Sequence, residues 1–238
     1  MPDKKTAIVT GAQQGIGAGV VEGFLKNGYA VVGTSLNVTQ SLTSSPSLAL
    51  VDGDISKPET AAKVVEAAIE HFGTIDVLVN NAGIYRAKPF TDFTTEDLNT
   101  LLSINLLGFV YMTQLTVKQM LKQKSGNVVS ITASLADQPV ASIHAAVSMM
   151  TKGGVNTATR HLAIEYAKEG IRFNAVAPGV VDSTLHQNDS KDYLKASQPM
   201  GTIVEIKDIV DAVLYLAEAN QITGEVLHVD GGSHAGRW

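Results

Sequence analysis

The sequence contains no cysteine. That absence excludes disulfides, thiol nucleophiles and thiolate metal sites together, and it fits a reducing compartment. Lysine and arginine form no extended run, and the formal net charge is −5. A chain with that balance is not expected to bind nucleic acid or an anionic membrane. No apolar stretch approaches the roughly 20 residues of a membrane span. The opening Met1-Pro2-Asp3-Lys4-Lys5 leads straight into a strand pattern, so no secretory leader is expected and the expected location is cytoplasmic. His71, His161 and His228 lack metal-ligand spacing, and no metal site is expected. Asp137, Asp182 and Glu205 likewise show no pairing of carboxylates.

What the chain does have is apolar content, 45% of 238 residues, enough for a large core. Short β-branched runs alternate with longer helical patterns, which predicts a parallel sheet covered by helices on both faces. Strands are expected over 6–10, 30–34, 48–51, 75–79, 127–131, 172–176 and 226–229. Helices are expected from about Gly15 to Asn27 and over 60–71, 95–123, 147–168 and 204–217. The result is one α/β domain over residues 1–238, doubly wound in the Rossmann manner on a seven-stranded parallel sheet. Residues 37–47 are rich in Ser and Thr with no helical period, and a compact loop is expected where such a fold would carry a helix.

The first strand runs into Gly11-Ala12-Gln13-Gln14-Gly15-Ile16-Gly17, which opens a helix. Gly11 allows a tight turn, Gly15 lets backbone N–H groups approach a pyrophosphate, and Gly17 lets helix and strand pack closely. The helix N-terminus offers unpaired donors and partial positive charge to phosphates. A glycine cluster alone is weak, but a strand before it and a helix after it are the context that a dinucleotide site needs.

With the spacing G-x-x-x-G-x-G the chain resembles the short-chain dehydrogenase/reductase family, and the resemblance continues to the C-terminal end. Asp54-Ile55 after the third strand looks like that family's adenine contact. Asn80-Asn81-Ala82-Gly83 matches its N-N-A-G motif, and Asn105 its mid-helix active-site Asn. Pro178-Gly179, with Val181 and Ser183 beyond, matches the loop that holds the nicotinamide amide. Ile222-Thr223-Gly224 and Val229-Asp230-Gly231-Gly232 match the C-terminal signature. The resemblance implies NAD or NADP as cofactor, a small-molecule alcohol or carbonyl substrate, and a homo-oligomer, a tetramer above all. In NAD-preferring relatives an acidic residue ends the second strand; here Ser35 stands there, with no Arg or Lys beside it, and the pattern leans to NADP.

The family's chemistry rests on Tyr-x-x-x-Lys at the start of the helix after the fifth strand. The Lys lowers the phenol's pKa from about 10, and the phenol then exchanges a proton with the substrate oxygen. Lys152 fits that Lys, but Ser148 occupies the Tyr position. The triad Ser falls on Ala133 counting forward from Ile131, or near Ser134 counting back from Lys152. Ser134 is favoured, and Thr132 is an outside candidate. For the missing proton donor, His144 leads, with Tyr85, and with His186 and Tyr193 in an expected substrate lid over 184–199. Three functions follow from this mixture: an oxidoreductase using Asn105, Ser134 and Lys152, with its proton arriving through His144 or water; a cofactor-binding pseudoenzyme; or a non-redox enzyme on the same site.

Overall fold

The computed structural model describes residues 4–183 and 190–236. Seven strands form one parallel sheet: β1 (Thr6–Thr10), β2 (Ala30–Ser35), β3 (Leu48–Asp52), β4 (Val77–Asn80), β5 (Gly126–Ile131), β6 (Ile171–Pro178) and β7 (Val226–Val229). β1, β4 and β5 are buried along their whole length, as near-continuous apolar runs must be when helices cover both faces. The two core layers follow from that covering. On one face, Val20 and Phe24 of α1 (Gly15–Lys26) meet Ile209, Val213 and Leu216 of α8 (Ile206–Glu218). On the other, Val64 of α3 (Pro58–Phe72), Met112 and Met120 of α5 (Gly108–Gln123) and Ala163 of α6 (Ala146–Tyr166) pack on Ile8, Leu78 and Phe173.

Strand order is β3-β2-β1-β4-β5-β6-β7, so the winding reverses between β1 and β4. In such sheets a crevice opens beyond the carboxyl ends of the two strands at the reversal. The topology thus sets the Gly11–Gly17 turn, which leaves β1, opposite the Asn80–Gly83 turn, which leaves β4.

Three sequence expectations need correction. Between β2 and β3 the chain forms a single helical turn, α2 (Val38–Ser41), where only loop was expected. Val38 is fully buried, and the Asp52 carboxylate accepts the Thr39 N–H at 3.0 Å, so the turn is held from inside and from its end. The helix expected over 95–123 is continuous in path but not in type. α4 (Thr95–Leu101) opens on a capping box between Thr94 and Asp97, residues Leu102–Leu107 are a π-helical segment, and α5 follows. This Thr95–Gln123 stretch also reaches the length and mean hydropathy, 1.4, that a membrane crossing would need, although no such span was expected. Leu101, Met112 and Met120 on it are buried in the core of the fold, which accounts for the apolar character. In the expected lid, residues 184–189, and His186 with them, lie outside the described residues. Lys191–Ala196 forms α7, which includes Tyr193.

Candidate active site

The glycine turn is held so tightly that two of its three glycines have no room for a side chain. Gly11 has φ +65°, and a Cβ there would stand 2.8 Å from Asn81 Nδ2. A Cβ on Gly17 would stand 2.1 Å from the Gly11 carbonyl oxygen. Gly15, at φ +55°, faces open space instead, its nearest neighbour being Ser183 Cβ at 4.0 Å. Gly11 thus makes the turn and Gly17 the close packing, while the backbone at Gly15 stays uncovered. Across the crevice, Thr10 Oγ accepts the N–H groups of Asn81 (3.0 Å) and Ala82 (2.9 Å), and Asn81 Nδ2 donates to the carbonyls of Thr10 (2.9 Å) and Gly11 (3.2 Å). Asn80 turns away to Thr113 Oγ1 at 3.0 Å. Gln13, Gln14 and Ile16 lie on the same turn, Gln14 in extended backbone as the N-cap of α1.

The remaining expected contacts line the same end of the sheet. Asp54 Oδ1 accepts the Ser56 N–H at 2.9 Å, a local turn that leaves its other oxygen without a partner among the described residues. Ile55 packs against Gly108, where a Cβ would meet it at 3.1 Å. Ser35 ends β2 beside Asp52, whose carboxylate is taken by Thr39. The hydrogen bonds from Thr39 keep the Asp52 carboxyl below the usual range. After β6, Gly179 is wedged against Asp230 and Gln198, and Val181 pairs with Val204, which brings Ser183 to the open side of Gly15.

Two bidentate clamps hold the segment that follows the Asn80–Gly83 turn. Asn105, on the π-helical segment, accepts the Ile84 N–H (2.8 Å) and donates to the Ile84 carbonyl (2.9 Å). Ser148 does the same to Arg86: its Oγ accepts the N–H at 3.0 Å and its hydroxyl donates to the carbonyl at 2.8 Å. Thr151 joins the clamps, accepting from Asn105 Nδ2 at 3.0 Å and donating to the Ser148 carbonyl at 2.7 Å. Ser148 is 1% exposed and fully engaged, so it does not replace a phenol; it fixes a loop. Tyr85 lies between the two clamped residues and is half-buried.

Lys152, one turn further along α6, reaches into the crevice and donates to the Ile131 carbonyl at 2.8 Å. Burial lowers its pKa to about 8. Beside it a cavity of about 10 Å³ is bounded by Asn80, Ala82, Asn105 and Thr10, a volume near what one water needs. A Cβ on Gly83 would come within 3.1 Å of Lys152 Nζ and 3.3 Å of Asn105 Oδ1, so these three groups form one cluster. Of the serine candidates, Thr132 is spent on the Val176 carbonyl (3.3 Å), and Ala133 has no hydroxyl. Ser134, at the start of a 3₁₀ turn (Ser134–Ala136), is 5% exposed, and its hydroxyl bonds to nothing among the described residues.

His144 stands apart from this cluster. Its carbonyl accepts the Lys88 N–H at 2.7 Å, and its ring lines a separate groove with Lys88, Leu135 and Met149. Sequence reasoning missed Thr10 and Thr151, whose positions beside Gly11 and Lys152 were the signal that could have found them. It also missed Asp97, which binds both Arg86 and Lys88. The Lys88 ammonium, then the Thr94 N–H, hold that carboxyl well below its usual range.

A family model described as enoyl-(acyl carrier protein) reductase matches residues 11–234. The 3-oxoacyl-[acyl-carrier-protein] reductase of Buchnera aphidicola subsp. Baizongia pistaciae is 31% identical over 242 residues, 97% of this chain and 98% of its own. The L-rhamnose-1-dehydrogenase of Scheffersomyces stipitis is 33% identical over 247 residues, 96% of this chain and 95% of its own. A solved structure of ElxO with NADP bound superposes with a TM-score of 0.91 at 30% identity, over 98% of this chain and all of that one.

The buried ammonium makes a stability prediction. The folded pKa of Lys152 is about 8 and the unfolded value about 10.5. Between these the unfolded chain binds more protons, so this group makes stability rise with pH across that window, and its cost is fully present below about 8. Lys152→Met is therefore expected to resist urea better than the parent at pH 7, with the gap closing towards pH 10. A variant no more stable at pH 7, or a gap independent of pH, contradicts the burial of the charge.

Proposed function

The chain belongs to the short-chain dehydrogenase/reductase family, and from that premise we propose an NAD(P)-dependent oxidoreductase that interconverts an alcohol and a carbonyl without a phenol at position 148. One observation carries the reading: Lys152 is half-buried beside Asn105 with Ser134 unengaged, while Ser148 is committed to Arg86. The glycine turn suits a dinucleotide, because its backbone stays bare where Gly15 opens towards Ser183. The nicotinamide, when bound, gives or takes the hydride.

The chain's own residues do the rest. N–H groups at the start of α1 hold the diphosphate, Asp54 the adenine end, and the Pro178–Ser183 loop the amide end. Lys152 donates to the nicotinamide ribose, and in carbonyl reduction it is the proton source for the substrate oxygen, with water filling the room left by the absent ring. Ser134 donates a hydrogen bond to that same oxygen. His144 lines the neighbouring groove, and its ring bonds to none of these groups among the described residues. Neither a carboxylate at the end of β2 nor a cation beside it biases the ribose pocket strongly. With Ser35 in place of an acid, both dinucleotides bind and NADP is favoured.

The assembly proposed is a tetramer working in the cytoplasm. It is supported by Leu102 and Leu107, 40% and 41% exposed on the outer side of the Thr95–Gln123 helix. An exposed apolar stripe on one long helix suits an isologous contact.

Two predictions follow from this assignment. With reduced cofactor and a carbonyl substrate, turnover is expected to fall as pH rises through about 8, where the Lys152 ammonium is lost. Lys152→Met should lower kcat by roughly 10²–10⁴, the usual value of general acid catalysis, and His144→Ala should leave it within about twofold. Turnover that ignores Lys152 and collapses in His144→Ala contradicts the assignment, and an absence of turnover with confirmed cofactor binding identifies a pseudoenzyme. Light scattering is expected to give near four times the chain mass of 25.1 kDa, and a smaller particle for Leu107→Glu. A parent that runs as a monomer rules out the tetramer.

A further inference from the structure

Beside the Lys152 cluster lies a groove of about 490 Å³, within the size range of small-molecule sites. It shares no lining residue with the cavity beside Lys152, but its segments adjoin those of the cluster along the chain. Leu135 and Ala136 follow Ser134, Met149 follows Ser148, and Lys88 lies two residues beyond the clamped Arg86. Its walls are apolar: Phe90, Leu135, Pro139, Ile143, Ala146 and Met149. Phe90 is 67% exposed, a large apolar side chain left uncovered on the rim.

The polar inventory of the groove is short. The Lys88 ammonium is taken by Asp97 and stands 5.0 Å from the Phe93 ring centroid, so Lys88 offers the groove its aliphatic stem. Among the described residues, no carboxylate and no side-chain amide lines it. Among the described residues His144 is its one available hydrogen-bonding side chain, and its ring has no partner there. A polyol such as an aldose would strip several hydroxyls of water here and find one free side-chain partner among the described residues, a loss that apolar contact does not offset.

We propose that the substrate is an apolar ketone or secondary alcohol whose hydrocarbon body fills this groove, and not a sugar. This rests on the alcohol/carbonyl reading above and names its substrate class. It separates the chain from those relatives whose names carry a sugar, such as the L-rhamnose-1-dehydrogenase.

The test is a substrate series on the full-length protein with reduced cofactor: 2-alkanones of increasing length and aryl methyl ketones, against glucose and rhamnose. Calorimetry of the same ketones on the cofactor-loaded protein runs alongside. Apparent affinity is expected to rise roughly three- to fourfold per methylene while the groove fills, and aldoses should be at least about a hundredfold poorer in kcat/KM. Ala146→Glu puts a carboxylate in the wall at the first turn of α6, where a negative charge suits the helix end and spares the fold. It should weaken the longest ketone by about tenfold or more and leave the thermal shift given by NADP unchanged. Ile143→Thr should act in the same direction, more weakly.

Preference for aldoses, a flat chain-length series, or indifference to both substitutions overturns the proposal while leaving the oxidoreductase standing. Ketones that bind with the expected chain-length slope and lose affinity in Ala146→Glu, yet are never reduced, uphold the groove and sink the redox reading. Absence of ketone binding overturns the proposal outright.

Discussion

The structure depends first on how closely the ends of β1 and β4 approach at the reversal of the sheet. Thr10 and Asn81 stitch the two turns together with four hydrogen bonds, and the 2.1 Å approach at Gly17 leaves no space for any side chain. That stitch settles where N–H groups point at the start of α1. It also settles where the chain leaving β4 must run, past Gly83 and into the two clamps. Everything proposed for the site is downstream of it: the diphosphate cradle on one side, and on the other a loop rigid enough to define a cavity around Lys152.

The clamps give position 148 a different meaning from a lost catalyst. The serine there is the right length to take both backbone groups of Arg86. Asn105 holds Ile84 in the same bidentate way, and Thr151 links the Asn105 side chain to the Ser148 carbonyl. Buried polar groups that satisfy one another stiffen what they hold. The fixed loop leads into Lys88 and Phe90, which form a wall of the apolar groove. Serine at position 148 is thus coupled to a fixed wall of the apolar groove.

Much of this was legible in the sequence because the signals were local. The β-branched runs marked each strand, and Gly11, Gly15 and Gly17 each stand where their spacing implied. Asn105, Ser134 and Lys152 also fall at one end of the sheet as expected. The part that was not legible depends on contacts between distant segments. Nothing near Ser148 in sequence says that Arg86, 62 positions away, will occupy its hydroxyl. His144 was weighed by its closeness to Lys152 along the chain, but the turn before α6 sends its ring to another groove. The π-helical segment that carries Asn105 has the apolar period of an ordinary helix, and the turn at Val38 depends on Asp52 from the next strand.

The central claim is that hydride still moves at a site with no phenol at position 148. The most direct measurement is a single turnover with reduced cofactor deuterated at the transferable position and a ketone in excess, with the alcohol analysed by mass spectrometry. One deuterium at the carbinol carbon, in yield matching the enzyme-bound cofactor, is the result the account predicts. Unlabelled or absent alcohol from protein saturated with cofactor would contradict it.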